Sequence, residues 1–135
     1  MGLDSIWHLP QSIEPPPLSV PLVGGMLSGP ESNVCTSFRG KVYSDFVNIV
    51  TGYTLYEETL TQEDVKAIAT DLRRLMDELN ECGVGYKLVL LLKERFGEEF
   101  DVDEDLFYGL RDLEHLTKMF EAYSHIRGVE LRAWY

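Results

Sequence analysis

The spacing of apolar positions changes along the chain, and each change marks a different kind of backbone. In residues 1–37 the apolar side chains, among them Ile6, Trp7, Leu9, Ile13, Leu18, Val20 and Leu22, keep neither a helical nor an alternating rule. All six prolines fall in this block, together with Gly24, Gly25 and Gly29. Proline fixes φ and removes a backbone donor, so the block excludes a long helix. Its apolar density argues against a free linker. It reads as an extended arm lying on the rest of the domain, with Trp7 buried and residues 15–17 in polyproline II conformation.

From Phe38 onward the spacing becomes helical. Val42, Phe46, Ile49 and Val50, followed by Gly52, predict a helix over 40–51. Residues 53–60 read as a short connection with Leu55 and Tyr56 buried. Thr61 then offers an N-cap, with Glu63 and Asp64 in the first turn. Val65, Ile68, Ala69, Leu72, Leu75, Met76 and Leu79 extend an unbroken stripe, which predicts a helix over 62–81. Lys66, Arg73, Arg74, Asp77 and Glu78 fall mainly on its other face. That stripe is either a core face or a dimer seam, and in a small domain the core is the commoner use.

Residues 86–96 fit a helix with Leu88, Leu91, Leu92 and Phe96 on one face, although 88–92 also fit a buried strand; Lys93, Glu94, Arg95 and Gly97 favour helix. A last helix is predicted over 104–126 on the stripe Leu106, Leu110, Leu113, Thr117, Phe120 and Tyr123, with Gly128 as its stop. Beyond it the period drops to two. Val129, Leu131, Ala133 and Tyr135 alternate with Glu130, Arg132 and Trp134, which predicts a short C-terminal strand whose natural partner is residues 3–9. The expectation is a mainly α domain, with minor β content, of four helices. Residues 1–37 form the arm and 38–135 the helical body of one domain of 135 residues.

Composition narrows the function classes. A net charge of −11, from 23 acidic against 12 basic residues, repels phosphate backbones and anionic lipid. Nucleic acid and membrane are therefore disfavoured as direct partners. A solubility surface, a basic protein partner or high-salt adaptation each fit it. No basic segment followed by an apolar run opens the chain, and the longest apolar run, 88–92, is far too short to span a bilayer, so a cytoplasmic location is expected.

Candidate chemistry is sparse. Asp101, Asp103 and Asp105 imitate the first ligands of a calcium loop, with Asp112 at its twelfth position, but Leu106 stands where that loop needs glycine. An acidic helix start accounts for the same residues. His8, His115 and His125 are too dispersed for a metal motif, and no metal or cofactor is expected. Cys35 and Cys82 form no CxxC pair and read as reduced thiols. Cys35, near Arg39 and Lys41, is the one conceivable nucleophile, without an identifiable base. Glycines let backbone N–H groups approach an anion closely, so Gly24, Gly25 and Ser28, with Ser37, Arg39 and Lys41, form a candidate anion or nucleotide-type site. In that reading Ser37 caps the helix that starts near Gly40, and Arg39 grips the anion with two donors. A Gly/Pro surface turn followed by solvated cations is the plainer alternative.

Several pieces together resemble a family of small microbial proteins with no assigned function. They are Met1 to Ser5 (MGLDS), the turn at 24–29 (GGMLSG), 37–43 (SFRGKVY), Val50-Thr51-Gly52 with Leu55-Tyr56, and 128–134 (GVELRAW). The resemblance implies no catalytic residue and does not include the acidic stretch 98–105. The expected function is a non-enzymatic, acidic protein-interaction domain, with a homodimer possible. The anion-binding site, which is compatible with an enzyme, is the alternative.

Overall fold

The computed structural model describes residues 3–10, 37–82, 93–94, 97 and 109–134. Among them the chain forms β1 (Asp4–His8), β2 (Ser37–Phe38), α1 (Gly40–Thr51), β3 (Thr59–Leu60), α2 (Gln62–Cys82), α3 (Gly109–Ser124) and β4 (Glu130–Trp134). The strands make one antiparallel sheet in the order β2-β1-β4-β3.

This corrects the expectation of a mainly α domain of four helices. Three helices and a four-stranded sheet make up the described residues, an α+β arrangement. Two of the strands caused the misreading. β2 and β3 are two residues long, too short to display an alternating period, and β3 lies within what reads as a connection. The segment expected as a helix at 86–96 falls mostly outside the described residues. Within it Lys93 and Glu94 are helical, and Gly97, at φ 95°, donates its N–H to the Lys93 carbonyl at 2.8 Å. Residues 104–108 likewise lie outside, and α3 occupies the remainder of the predicted 104–126 helix as far as Ser124.

The alternating run at the end of the sequence does form β4. It pairs with β1 over Asp4↔Trp134, Ser5↔Ala133, Ile6↔Arg132, Trp7↔Leu131 and His8↔Glu130. The described part of the arm is therefore a central strand of the sheet. Side chains on a strand alternate between faces. Leu3, Ser5, Trp7, Val129 and Leu131 are buried on the helix side, while His8, Arg132 and Trp134 are exposed on the other.

The helices explain their own limits. α1 ends at Gly52, whose φ of 79° places it in the left-handed region and whose N–H donates to the Asn48 carbonyl at 2.8 Å. α2 starts with a reciprocal cap. The Thr61 N–H and hydroxyl both donate to Asp64 Oδ2, at 2.9 and 3.0 Å, and the Asp64 N–H returns to Thr61 Oγ1 at 3.4 Å. Leu72, Leu75 and Met76 are each about 1% exposed, so this part of the stripe is core rather than a dimer seam. α2 packs most extensively on α3 and also on α1.

Trp7 joins sheet to helices. It stacks on Tyr123 of α3 at 4.1 Å with the rings 3° from parallel, and meets Phe120 edge-on at 5.4 Å. Phe38 of β2 completes the cluster against Phe120 and Tyr43. Such pairs add to the apolar area they bury.

Candidate functional site

Three places carry functional interest: the predicted anion site, the groove between α2 and α3, and the outer face of the sheet. Of the predicted site, Gly24, Gly25 and Ser28 lie outside the described residues. Ser37, Arg39 and Lys41 are close in sequence but differ in setting. Ser37 is buried on β2, opposite Ile6, two residues before the cap position of α1. That cap position belongs to Arg39, which makes no side-chain capping bond. Arg39 Nε lies 3.8 Å from Asp4 Oδ1, so a carboxylate of the protein already faces this cation. Lys41 is exposed, but its backbone N–H donates to the Leu3 carbonyl at 3.0 Å. β1 thus takes up one of the amides a helix N-terminus would offer to an anion.

Gly40 explains how the strand comes so close. A Cβ placed on it would stand 2.2 Å from Ser5 Oγ and 3.3 Å from Leu3 Cγ and Cδ2. Glycine is required here by proximity. Ser5 Oγ is itself buried without a hydrogen-bond partner, as is Trp7 Nε1.

The groove between α2 and α3 is lined by Lys66, Ala69, Thr70, Arg73, Glu121, Ser124 and His125 and has a volume of about 470 Å³. Arg73 crosses its floor. Its Nε and Nη2 donate to the two Glu121 carboxylate oxygens at 3.1 and 2.7 Å, and its Nη1 donates to Glu114 Oε1 at 2.9 Å. The planar guanidinium suits this forked pairing. The bond to Glu121 raises the Arg73 pKa above its ordinary value; partial burial opposes the shift and the bond to Glu114 adds to it. Gln62 ties off the end of the groove. Its Nε2 donates to the Ser124 carbonyl at 3.1 Å, and its Oε1 accepts the Gly128 N–H at 3.2 Å. Lys66 and His125 make no ion pair among the described residues.

The sequence reading placed Lys66 and Arg73 on the solvent side of α2 and did not connect them to α3. The signal was present as Lys66, Thr70 and Arg73 along one row of α2, and Glu114 and Glu121 along one row of α3, with His125 just past its end. Helical spacing shows such rows, but it does not show that they face each other.

The outer face of the sheet carries Asp4, Ile6 and His8 from β1 and Glu130, Arg132 and Trp134 from β4. Arg132 donates from Nη2 and Nε to Glu130 Oε1, at 2.6 and 3.2 Å. Desolvation lowers the His8 pKa below its ordinary 6.5; Arg132 acts in the same direction, and Glu130 opposes. Trp134 is 70% exposed. At this end of the sheet the Ala133 N–H donates to the Glu58 carbonyl at 3.4 Å, so the chain leading into β3 runs alongside Trp134. That chain carries Tyr56, 44% exposed, and the exposed Glu57 and Glu58, neither of which is ion-paired among the described residues. A tight turn holds it, with the Glu57 N–H on the Thr54 carbonyl and the Tyr56 N–H on Thr54 Oγ1.

No known protein decides between these places. No protein-family model matches the chain, and neither a curated protein nor a solved structure does. The motif-level resemblance of the sequence therefore stands without a family behind it.

The remaining candidates are quickly placed. Cys35, Asp101, Asp103 and Asp105 lie outside the described residues, whereas Asp112 is on α3 and Cys82 ends α2. Among the described residues no three His, Cys, Asp or Glu side chains gather as a metal site, and no helix is long and apolar enough to cross a membrane.

Proposed function

We propose that this chain is a non-enzymatic interaction domain that docks a basic protein segment at the β3–β4 end of its sheet. The observation that carries the reading is Trp134, an indole 70% exposed on a strand whose inward residues are core. With Tyr56 exposed on the neighbouring chain, Trp134 forms an apolar patch of the kind that a partner covers. The neighbouring carboxylates define the partner. Among the described residues Glu57 and Glu58 have no ion-pair partner, while the guanidiniums of Arg39 and Arg132 are already matched by Asp4 and Glu130. An aromatic face beside free carboxylates suits lysine or arginine, through cation–π attraction and charge-assisted hydrogen bonds. The net charge of −11 draws the same partner from a distance.

Tryptophan fluorescence tests this. The chain has two tryptophans, and Trp7 is 5% exposed, so acrylamide quenching reports chiefly on Trp134. A lysine- and arginine-rich peptide should protect Trp134 from quenching. The protection should weaken as salt rises and disappear in Glu57→Gln combined with Glu58→Gln, a variant that keeps the Trp134 reporter. An acidic peptide of equal length should have no effect. Equal protection by both peptides, or by neither, would overturn the reading.

A further inference from the structure

The groove between α2 and α3 shares no lining residue with the docking surface, and its chemistry is unassigned. Its volume of about 470 Å³ is enough to admit a small molecule. What it would hold follows from which donors and acceptors are still free.

Arg73 gives three of its five N–H donors to Glu121 and Glu114. Glu121 is held by the same bonds. Thr70 and Ser124 line the groove through hydroxyls that already donate, Thr70 to the Lys66 carbonyl at 2.9 Å and Ser124 to the Glu121 carbonyl at 2.7 Å. A hydroxyl has one proton, so each of these oxygens is left as an acceptor. Besides the two N–H groups left over on Arg73, the donors that remain among the described lining residues are the Lys66 ammonium, with three protons, and the His125 ring. Both are exposed and unpaired among the described residues. The groove therefore presents cationic or N–H donors at Lys66 and His125 and hydroxyl acceptors at Thr70 and Ser124.

We propose that this groove binds a small hydroxylated anion, a polyol phosphate or hydroxycarboxylate, with its anionic oxygens on Lys66 and His125 and its hydroxyls donating to Thr70 and Ser124. The Arg73–Glu121 pair forms a rigid floor. It ties α2 to α3, and because Glu114 shares the same guanidinium the cluster carries one net negative charge, so the attraction for an anion comes from Lys66 and His125. Ala69 leaves room above that floor. Free inorganic phosphate meets only the donor half of the site, and a neutral polyol only the acceptor half.

Amide chemical-shift titration of the full chain tests each half separately. The probes are glycerol 3-phosphate, malate, inorganic phosphate and glycerol, followed at Ala69, Thr70, Ser124 and His125. Glycerol 3-phosphate and malate should move these amides together and saturate at concentrations on the order of millimolar. Inorganic phosphate should bind roughly tenfold more weakly, and glycerol should not bind. Lys66→Gln with His125→Gln should weaken glycerol 3-phosphate by at least roughly tenfold, the share of one charge-assisted hydrogen bond, while the melting temperature stays at the parental value. Shifts that survive the double substitution, phosphate binding as tightly as glycerol 3-phosphate, or no shift with either hydroxylated anion would each overturn the proposal.

Discussion

Replacing Gly40 with alanine probes the contact that seats α1 on β1. The new Cβ would fall 2.2 Å from Ser5 Oγ, roughly 1 Å or more inside ordinary van der Waals contact, where repulsion rises steeply. Ser5 has one side-chain torsion with which to yield. Its backbone is fixed by pairing to Phe38 on one side and Ala133 on the other, and the residue is 1% exposed. Leu3, at 3.3 Å, blocks the sideways escape, and the Lys41 N–H bond to the Leu3 carbonyl prevents the helix from lifting freely. Overpacking of this kind costs about 1–3 kcal/mol. Alanine returns at most about 1 kcal/mol of helix propensity, and less in a first turn. The net loss is about 1–2 kcal/mol, a drop of roughly 3–8 °C in melting temperature for a domain of this size. Ser5→Ala serves as the internal control. It removes a hydroxyl that has no partner, so alone it should be neutral or slightly stabilising. Combined with Gly40→Ala it should recover about 1 kcal/mol of the loss, a coupling that urea unfolding monitored by Trp7 emission can resolve. If Gly40→Ala melts with the parent, or the two substitutions simply add, the reasoning about this contact is wrong.

Two further substitutions test the electrostatics. Arg73→Met should cost about 1–2 kcal/mol in urea unfolding, because it removes three charge-assisted hydrogen bonds from side chains that still keep about a third of their solvent contact. Raised salt should shrink the difference between parent and variant, and a salt-independent difference would assign the cost to packing. His8 has its folded pKa below its ordinary value, so folding favours the neutral ring. Its contribution is absent above the unfolded value near 6.5, becomes a growing penalty as pH falls from there toward the folded value, and levels off below it. His8→Gln should therefore lose less stability than the parent between about pH 7.5 and about pH 5.5, and an equal loss in both would refute the assignment.

Parts of this fold were legible because their signals are local. The helix expected over 40–51 is α1, Gly40–Thr51, and Gly52 stops it in the left-handed conformation that a stop requires. The helix expected over 62–81 is α2, Gln62–Cys82, opened by Thr61 and Asp64. The outward position of Trp134 followed from alternation, and so did the pairing of its strand with residues near Trp7. Burial of Trp7 followed from the apolar density of its segment, although its stacking on Tyr123 did not. β2 and β3 were invisible because two residues cannot display a period. Their strand character comes from β1 and β4, which supply the hydrogen bonds. The Arg73 clamp was invisible for a related reason, since it requires two helices to present particular rows to each other. Tyr56 went the other way: expected to be buried beside Leu55, it is largely exposed at the turn before β3.

The two central strands come from opposite ends of the described chain, with all three helices between them, and this bears on how the molecule assembles. Pairing Trp7 with Leu131 requires the intervening chain to close one long loop, whose entropy must be lost before the ladder returns anything. The helices form from contacts close in sequence, so α2 and its cap can be structured before any of the sheet exists. β2 and β3 cannot serve as early templates, because each holds its place only through a central strand. Closure of β1 on β4 is thus the step that makes the sheet, and until it occurs Trp7, Phe38 and Phe120 lack their shared packing. A chain cut between α1 and β3 would leave each fragment with only a two-stranded ladder, β1–β2 or β3–β4, yet the two fragments together would carry every strand needed to rebuild the sheet.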